Sequence, residues 1–174
     1  MELVRDDVGV SVQTESGPLA LRWIVGIGRN YADHAKEMAA SPSALKAGGD
    51  AAHPTVFAKN PSSAVLHGDD VVIPACCTDE ATGGPQVDYE GELAVVLGRP
   101  ARDVAEADAL GCVLGYCCAN DVSARWWQKH GGGGQFVRGK SFRTFCPLGP
   151  ELTPARDVPD PQALTLTTRL NGQR

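Results

Sequence analysis

The segment Asp88-Tyr89-Glu90-Gly91-Glu92 sets three carboxylates at alternate positions. In an extended chain the two-residue period puts all three on one face, where like charges repel unless water or a cation neutralises them. The apolar residues 93–97 that follow imply that this strand runs into a core. Two readings are open: a solvated, charged edge strand, or a site for a hard cation such as Mg²⁺, Mn²⁺ or Ca²⁺, because every donor is an oxygen and no His or Cys lies near enough in sequence to favour zinc. Asp121 closes a second apolar run, 113–119, just before a helix predicted over 122–129. Alone, an Asp there caps a helix as readily as it binds a metal. Asp121, Arg125 and Gln128 follow i, i+4, i+7 spacing, so one helix face would join a carboxylate, a guanidinium and an amide, with Arg125 able to grip a substrate carboxylate bidentately. The alternative is an ordinary solvated face. His34 and Glu37 lie three residues apart on another predicted helix and share a face. They are either a casual surface pair or a base, since an imidazole titrating at about 6.5 suits proton abstraction near neutrality.

These groups need elements to hold them. Alternation over 8–12 and an apolar run over 19–27 predict opening strands. Asn30 then starts a helix predicted over 31–38, with Asp33 closing an approximate capping box, and residues 39–53, rich in Ala, Ser, Gly and Pro, read as a loop. Short strands are predicted at 55–58, 64–66 and 71–73, set apart by Asn60-Pro61 and Gly68-Asp69-Asp70 turn signals. A long strand over 87–97, a helical turn at 104–109, a buried strand at 113–119 and the helix at 122–129 follow, the remainder being irregular or extended. Residues 164–170 alternate Leu and Thr as a strand should, and Asn171-Gly172 is a strong hairpin signal with only Gln173 and Arg174 beyond it. The missing second arm would leave a strand edge unpaired, so the chain is expected to be a C-terminally truncated piece of a longer sequence.

At 174 residues, 43% hydrophobic and 21% charged, the chain is expected to form one soluble globular domain. A net charge of -5 without any run of Lys or Arg argues against nucleic-acid or anionic-membrane partners. No stretch reaches membrane-spanning length and no signal peptide is recognisable. The six cysteines include no CxxC pattern, so reduced thiols in the cytoplasm, or in a mitochondrial matrix after processing, are expected. Residues 134–141, GQFVRGKS, match the phosphate-loop pattern GxxxxGK[ST] letter for letter. The match is rejected because such a loop must follow a buried strand and open a helix, whereas glycines precede it and Pro147 and Pro150 follow. Trp126 and Trp127 are expected to pack rather than react.

The blocks GRNYADHAKEM (28–38), FAKNPSS (57–63), VDYEGEL (87–93), NDVSARWWQ (120–128) and GKSFRTFCPLGP (139–150) resemble, in order and style, fumarylacetoacetate hydrolase-like proteins. The resemblance covers residues 20–174, behind an N-terminal strand region, 1–19. It implies an α+β fold, a strand-rich mixed β-sandwich roll of the fumarylacetoacetate hydrolase type without its C-terminal strands, and a homodimer. It implies Glu90, Glu92 and Asp121 as ligands of Mg²⁺ (or Mn²⁺ or Ca²⁺), with Asp88 behind them. His34 and Glu37 become the pair that activates water on a lid, Lys140 the group that polarises the substrate carbonyl, and Arg125, Gln128 and Lys59 substrate-binding groups. The implied reaction is hydrolytic C–C cleavage of an acylpyruvate or 1,3-dioxo acid, of the fumarylpyruvate or acetylpyruvate type, through a metal-stabilised enolate. The same site without water attack implies decarboxylation of a 2-oxo acid such as oxaloacetate, isomerisation or hydration. The absence of the family's Gly-Thr-Pro loop leaves a catalytically incomplete metal-binding fragment as a further alternative.

Overall fold

Alternating Val and polar residues at the start of the chain form three short antiparallel strands: β1 (Leu3–Asp6), β2 (Gly9–Thr14) and β3 (Gly17–Ala20), paired in that order. The computed structural model describes residues 1–7, 9–28, 30–31, 53–82 and 84–174. Val10 and Val12 are buried on the period-two face, and Ser11 between them donates its hydroxyl to Asp6 at 2.7 Å. The β2 core face packs on a four-stranded sheet, so Leu3, Val10 and Val12 share one cluster with Ala64, Cys117, Cys146, Leu148 and Leu152. Reciprocal main-chain bonds between Met1 and Leu152, 2.8 and 2.9 Å, tie the N-terminus to that sheet. The opening strands therefore share the core of the rest of the chain.

The four-stranded sheet runs β6 (Ala64–Leu66), β11 (Cys146–Pro154), β9 (Val113–Asn120), β8 (Gly91–Leu97). β6 and β11 are parallel, and the other pairs are antiparallel. β11 is the finding furthest from expectation, because its nine residues include Pro147, Pro150 and Pro154, and proline is normally confined to edges and bulges. The ladder to β9 slips between Gly149 and Thr153, which takes Pro150 out of register. Gly115 is required opposite Pro154, since a Cβ there would stand 2.4 Å from the Thr153 carbonyl oxygen.

Two further strand pairs frame one end of this sheet: β4 (Ile24–Gly28) with β5 (Thr55–Lys59), and β7 (Val87–Asp88) with β10 (Ser123–Ala124). The strand predicted over 87–97 is thus two strands, broken at Tyr89 and Glu90. The helix predicted over 122–129 begins at Arg125, because Ser123 and Ala124 pair with β7. It includes a π-helical turn, Trp127–Gly131, a distortion often found beside functional groups. A short helix, α1 (Phe136–Lys140), follows. Residues 71–73 form no strand; the Val72 amide instead donates to the Thr144 hydroxyl at 2.8 Å. The turn predicted at 104–109 is a 3-10 helix over Glu106–Cys112.

Asn171 and Gly172 adopt φ of 51° and 81°, the two left-handed residues that a type I′ turn needs. The turn is made but the strand before it is not: beyond the bridge between Leu170 and Gln173, residues 164–169 pair with no ladder. The resulting architecture is a mixed, sheet-rich α+β fold with little helix. No helix among the described residues is long and apolar enough to cross a membrane.

Candidate active site

The break at Glu90 is what builds the site. The chain leaves β10 as partner of β7 and takes up β9 as partner of β8, and the crossing is pinned on both sides. The Asp121 amide donates to the Glu90 carbonyl at 2.8 Å, and the Glu90 amide donates to Asn120 Oδ1 at 3.0 Å. This brings the Glu90 and Asp121 side chains, 31 residues apart in sequence, to one ammonium group. Lys140 Nζ lies 2.9 Å from Glu90 Oε2 and 2.6 Å from Asp121 Oδ2.

Lys140 comes from the last turn of α1 and is almost fully buried, at 2% exposure. Its ammonium lies over the face of Phe57, with Nζ 5.0 Å from the ring centroid. Gly139 makes this possible. A Cβ at that position would meet the Gln128 amide nitrogen at 2.5 Å and the Ala124 carbonyl oxygen at 2.8 Å, so α1 packs backbone to backbone on the π-helical segment. The helix lies inside the phosphate-loop pattern rather than after it, and the pattern's lysine points at carboxylates.

Asp121 holds a second buried cation, with Lys59 Nζ 2.6 Å from Oδ1. Arg125 places Nε and Nη2 on Asp88 Oδ2 at 2.9 and 2.6 Å, and Nη1 on Glu90 Oε1 at 2.5 Å. Nη1 also donates to Gln128 Oε1 at 3.1 Å, so Arg125 and Gln128 do share a face. Asp121 lies outside that helix and reaches the cluster from the end of β9. Glu92 completes the group: the Tyr31 phenol hydrogen-bonds its carboxylate. His34 and Glu37 lie outside the described residues.

The charges interact strongly. Burial pushes the Glu90 carboxyl up, but the ammonium of Lys140 and the guanidinium of Arg125 outweigh it and hold Glu90 below the usual carboxylate value. Burial raises the Glu92 carboxyl, and Glu90 and Asp121 raise it further against the opposing Tyr31 hydrogen bond. For Glu92 the lowering pull of the Lys140 ammonium is the least of the influences on its carboxyl. Burial lowers the Lys59 ammonium despite Asp121, and burial together with Glu92 raises the Tyr31 phenol. Arg125, beside Glu90 and Asp88, stays protonated above its ordinary value although burial opposes it.

Among the described residues no three of His, Cys, Asp and Glu stand grouped so as to hold a metal as placed. Lys140 bridges two of the carboxylates instead. The donor set nonetheless suits a hard divalent cation, being all carboxylate oxygen, and the repulsion from Glu90 and Asp121, which adds to burial in raising Glu92, is what such a cation would relieve. Beside Glu92, a cavity of about 320 Å³ opens between Asn120 and residues 166–170, within the ordinary range of small-molecule pockets, roughly 300–1,000 Å³. Tyr31, Asn120 and Ser123 were not singled out by spacing. Ser123 Oγ lies 3.2 Å from Glu90 Oε1 and 2.9 Å from the Asp121 carbonyl. These contacts arise where strands exchange partners, for which neither helix nor strand periodicity gives a signal. All three residues do sit inside the sequence blocks: Tyr31 in 28–38, Asn120 and Ser123 in 120–128.

Comparison with known proteins places this geometry. The family model "Fumarylacetoacetate (FAA) hydrolase C-terminal" matches residues 23–174. A relative from Burkholderia multivorans, provisionally named a hydrolase, is 45% identical over 150 residues, 86% of this chain and 48% of its own length. The chain thus spans about half the length of the curated relatives it matches. Among solved structures, a fumarylacetoacetate hydrolase from Exiguobacterium antarcticum is 38% identical at a TM-score of 0.61, covering 88% of this chain and 48% of that one. A 5-carboxymethyl-2-hydroxymuconate delta-isomerase from Mycobacterium smegmatis is 34% identical at a TM-score of 0.60, covering 85% and 48%. The strand exchange at Glu90 and the lysine-bridged carboxylates therefore lie in a chain that belongs to the fumarylacetoacetate hydrolase family, through its C-terminal domain.

Proposed function

We propose that this chain carries the metal-binding part of a hydrolase active site that cleaves a C–C bond in an acylpyruvate or 1,3-dioxo acid, with Mg²⁺ as cofactor. The observation that carries the reading is the convergence of Glu90 and Asp121 on Lys140, beside a Glu92 carboxyl raised by burial and further by both carboxylates. A hard cation held by Glu90, Glu92 and Asp121 would supply Lewis-acid stabilisation of the departing enolate. Lys140 contributes a buried ammonium that can turn from a carboxylate to a substrate carbonyl oxygen, where charge develops on water attack. Arg125 fixes the Gln128 amide through its Oε1, which leaves the amide N–H donors for a substrate carboxylate. His34, supported by Glu37, delivers the water and takes its proton, and the enolate leaving group is protonated on release.

A second reading has a specific basis, since one similar solved structure is named an isomerase. An enolate formed at this site and reprotonated without water attack gives isomerisation, and loss of CO₂ in place of an acyl group gives decarboxylation. Incubation with acetylpyruvate and with oxaloacetate, each with Mg²⁺ and with chelator, separates them. Metal-dependent release of acetate and pyruvate is expected. Turnover of either substrate at full rate in chelator would defeat the reading. A homodimer is the proposed assembly, tested by light scattering.

A further inference from the structure

Lys59 resembles a substrate-binding residue by its place in the sequence, but its ammonium has no proton to spare. Nζ lies 2.6 Å from Asp121 Oδ1 and 3.4 Å from the Val122 carbonyl, and donates a third, short bond to the Lys140 carbonyl. Three acceptors match the three donors of a lysine. The residue is 4% exposed. Those acceptors belong to two segments far from β5 in sequence: the end of β9 with its continuation, and the C-terminal end of α1.

β5 holds α1 at a second point. Phe57, two residues before Lys59 and on the same strand face, packs its ring 5.6 Å from that of Phe136 in the first turn of α1. Gly26 on β4 leaves room for this ring, since a Cβ there would stand 2.2 Å from it. One strand face therefore grips α1 at both ends and grips Asp121 from behind. Both groups that meet at the carboxylate cluster, the Asp121 carboxylate and the Lys140 ammonium, are set by where Lys59 sits.

We propose that Lys59 is a positioning residue that fixes Asp121 and the α1 carbonyl of Lys140 relative to each other, and makes no bond to substrate. The proposal refines the reading of the site given above and rests on it for the identity of the reaction. Positioning groups behind metal ligands typically change metal affinity or activity by about 10- to 100-fold. Lys59→Met is accordingly expected to weaken Mg²⁺ binding, measured calorimetrically without substrate, by about 10- to 100-fold and to lower kcat by a similar factor, with KM within about threefold of wild type. A tenfold rise in KM with kcat and Mg²⁺ affinity unchanged would overturn the proposal, as would a variant indistinguishable from wild type.

Should Lys59→Met fail to fold, the wild-type chain decides. Reductive methylation followed by peptide mass analysis is expected to leave Lys59 unmodified, with or without pyruvate as a site probe, until urea unfolds the protein. Modification of Lys59 in the native chain, protected by pyruvate or not, would refute a buried three-acceptor tether. Failure of the wild-type chain to turn over acylpyruvates would count against the proposed reaction alone, since labelling and Mg²⁺ affinity report on Lys59 independently.

Discussion

Replacing Lys140 with Met removes the ammonium that bridges Glu90 and Asp121 while keeping most of the side-chain volume. Breaking a buried ion pair by deleting one partner generally costs about 3–5 kcal/mol, because a charge is left uncompensated. Here neither carboxylate is orphaned: Glu90 keeps Arg125 at 2.5 Å, and Asp121 keeps Lys59 at 2.6 Å. The cost should therefore fall below that range, at about 2 kcal/mol, or a melting temperature lowered by about 4–8 °C for a chain of this size. The same deletion vacates the position between the carboxylates, so a divalent cation no longer competes with an ammonium. At 100 times its dissociation constant such a ligand returns about 2.7 kcal/mol. Thermal unfolding of wild type and Lys140→Met, with and without Mg²⁺, measures both effects. The variant should melt lower without Mg²⁺, gain more from Mg²⁺ than wild type does, and show no acylpyruvate turnover. An unchanged melting temperature, or an Mg²⁺ shift no larger than that of wild type, would refute the account of Lys140 as the group standing between the carboxylates.

Gly139→Ala drives a Cβ into backbone at Gln128 and Ala124. Urea denaturation should show a loss of about 1–3 kcal/mol, and turnover should fall with it as Lys140 moves off the cluster. Arg125→Lys keeps the charge but loses the fork that holds Asp88, Glu90 and Gln128 together; a KM for acylpyruvate raised by about tenfold is expected because the Gln128 amide is no longer held for the substrate carboxylate, a loss of roughly 1.4 kcal/mol. Burial raises the thiols of Cys117 and Cys146 to about 11 and that of Cys77 to about 12. These folded-state values lie above the unfolded one, so the folded chain retains protons that the unfolded chain releases, and stability should fall as pH rises from about 9 towards 11. Alkylation of the native chain at pH 8 should reach Cys76 and Cys118, the exposed pair, and spare the other four cysteines until denaturant is added.

Much of the site was legible because its chemistry sits in short blocks. Alternating carboxylates at 88, 90 and 92, and an Asp closing an apolar run, remain meaningful whatever the exact strand bounds. What spacing could not show is where partners change. Period two puts Asp88, Glu90 and Glu92 on one face of a single strand, yet the chain breaks at Glu90, so Asp88 serves Arg125 while Glu92 faces Tyr31. The helix expected from Val122 starts at Arg125 because Ser123 and Ala124 find a strand partner in β7, a tertiary choice that helix propensity cannot anticipate. β11 was hidden by its three prolines, which argue locally against a central strand until the slip at Gly149 and the bare backbone of Gly115 are seen. The Asn171-Gly172 turn was readable from its residues alone, since both positions need positive φ; the pairing before it depends on partners that local sequence does not name.

The central claim, that Glu90, Glu92 and Asp121 form one cation site, is tested most directly by calorimetric titration of Mg²⁺ into the wild-type chain and into Glu90→Gln, Glu92→Gln and Asp121→Asn. One Mg²⁺ per chain in the wild type, with affinity lowered at least tenfold in each variant, is the predicted result. Binding of equal strength in all four proteins, or none in the folded wild type, would contradict it.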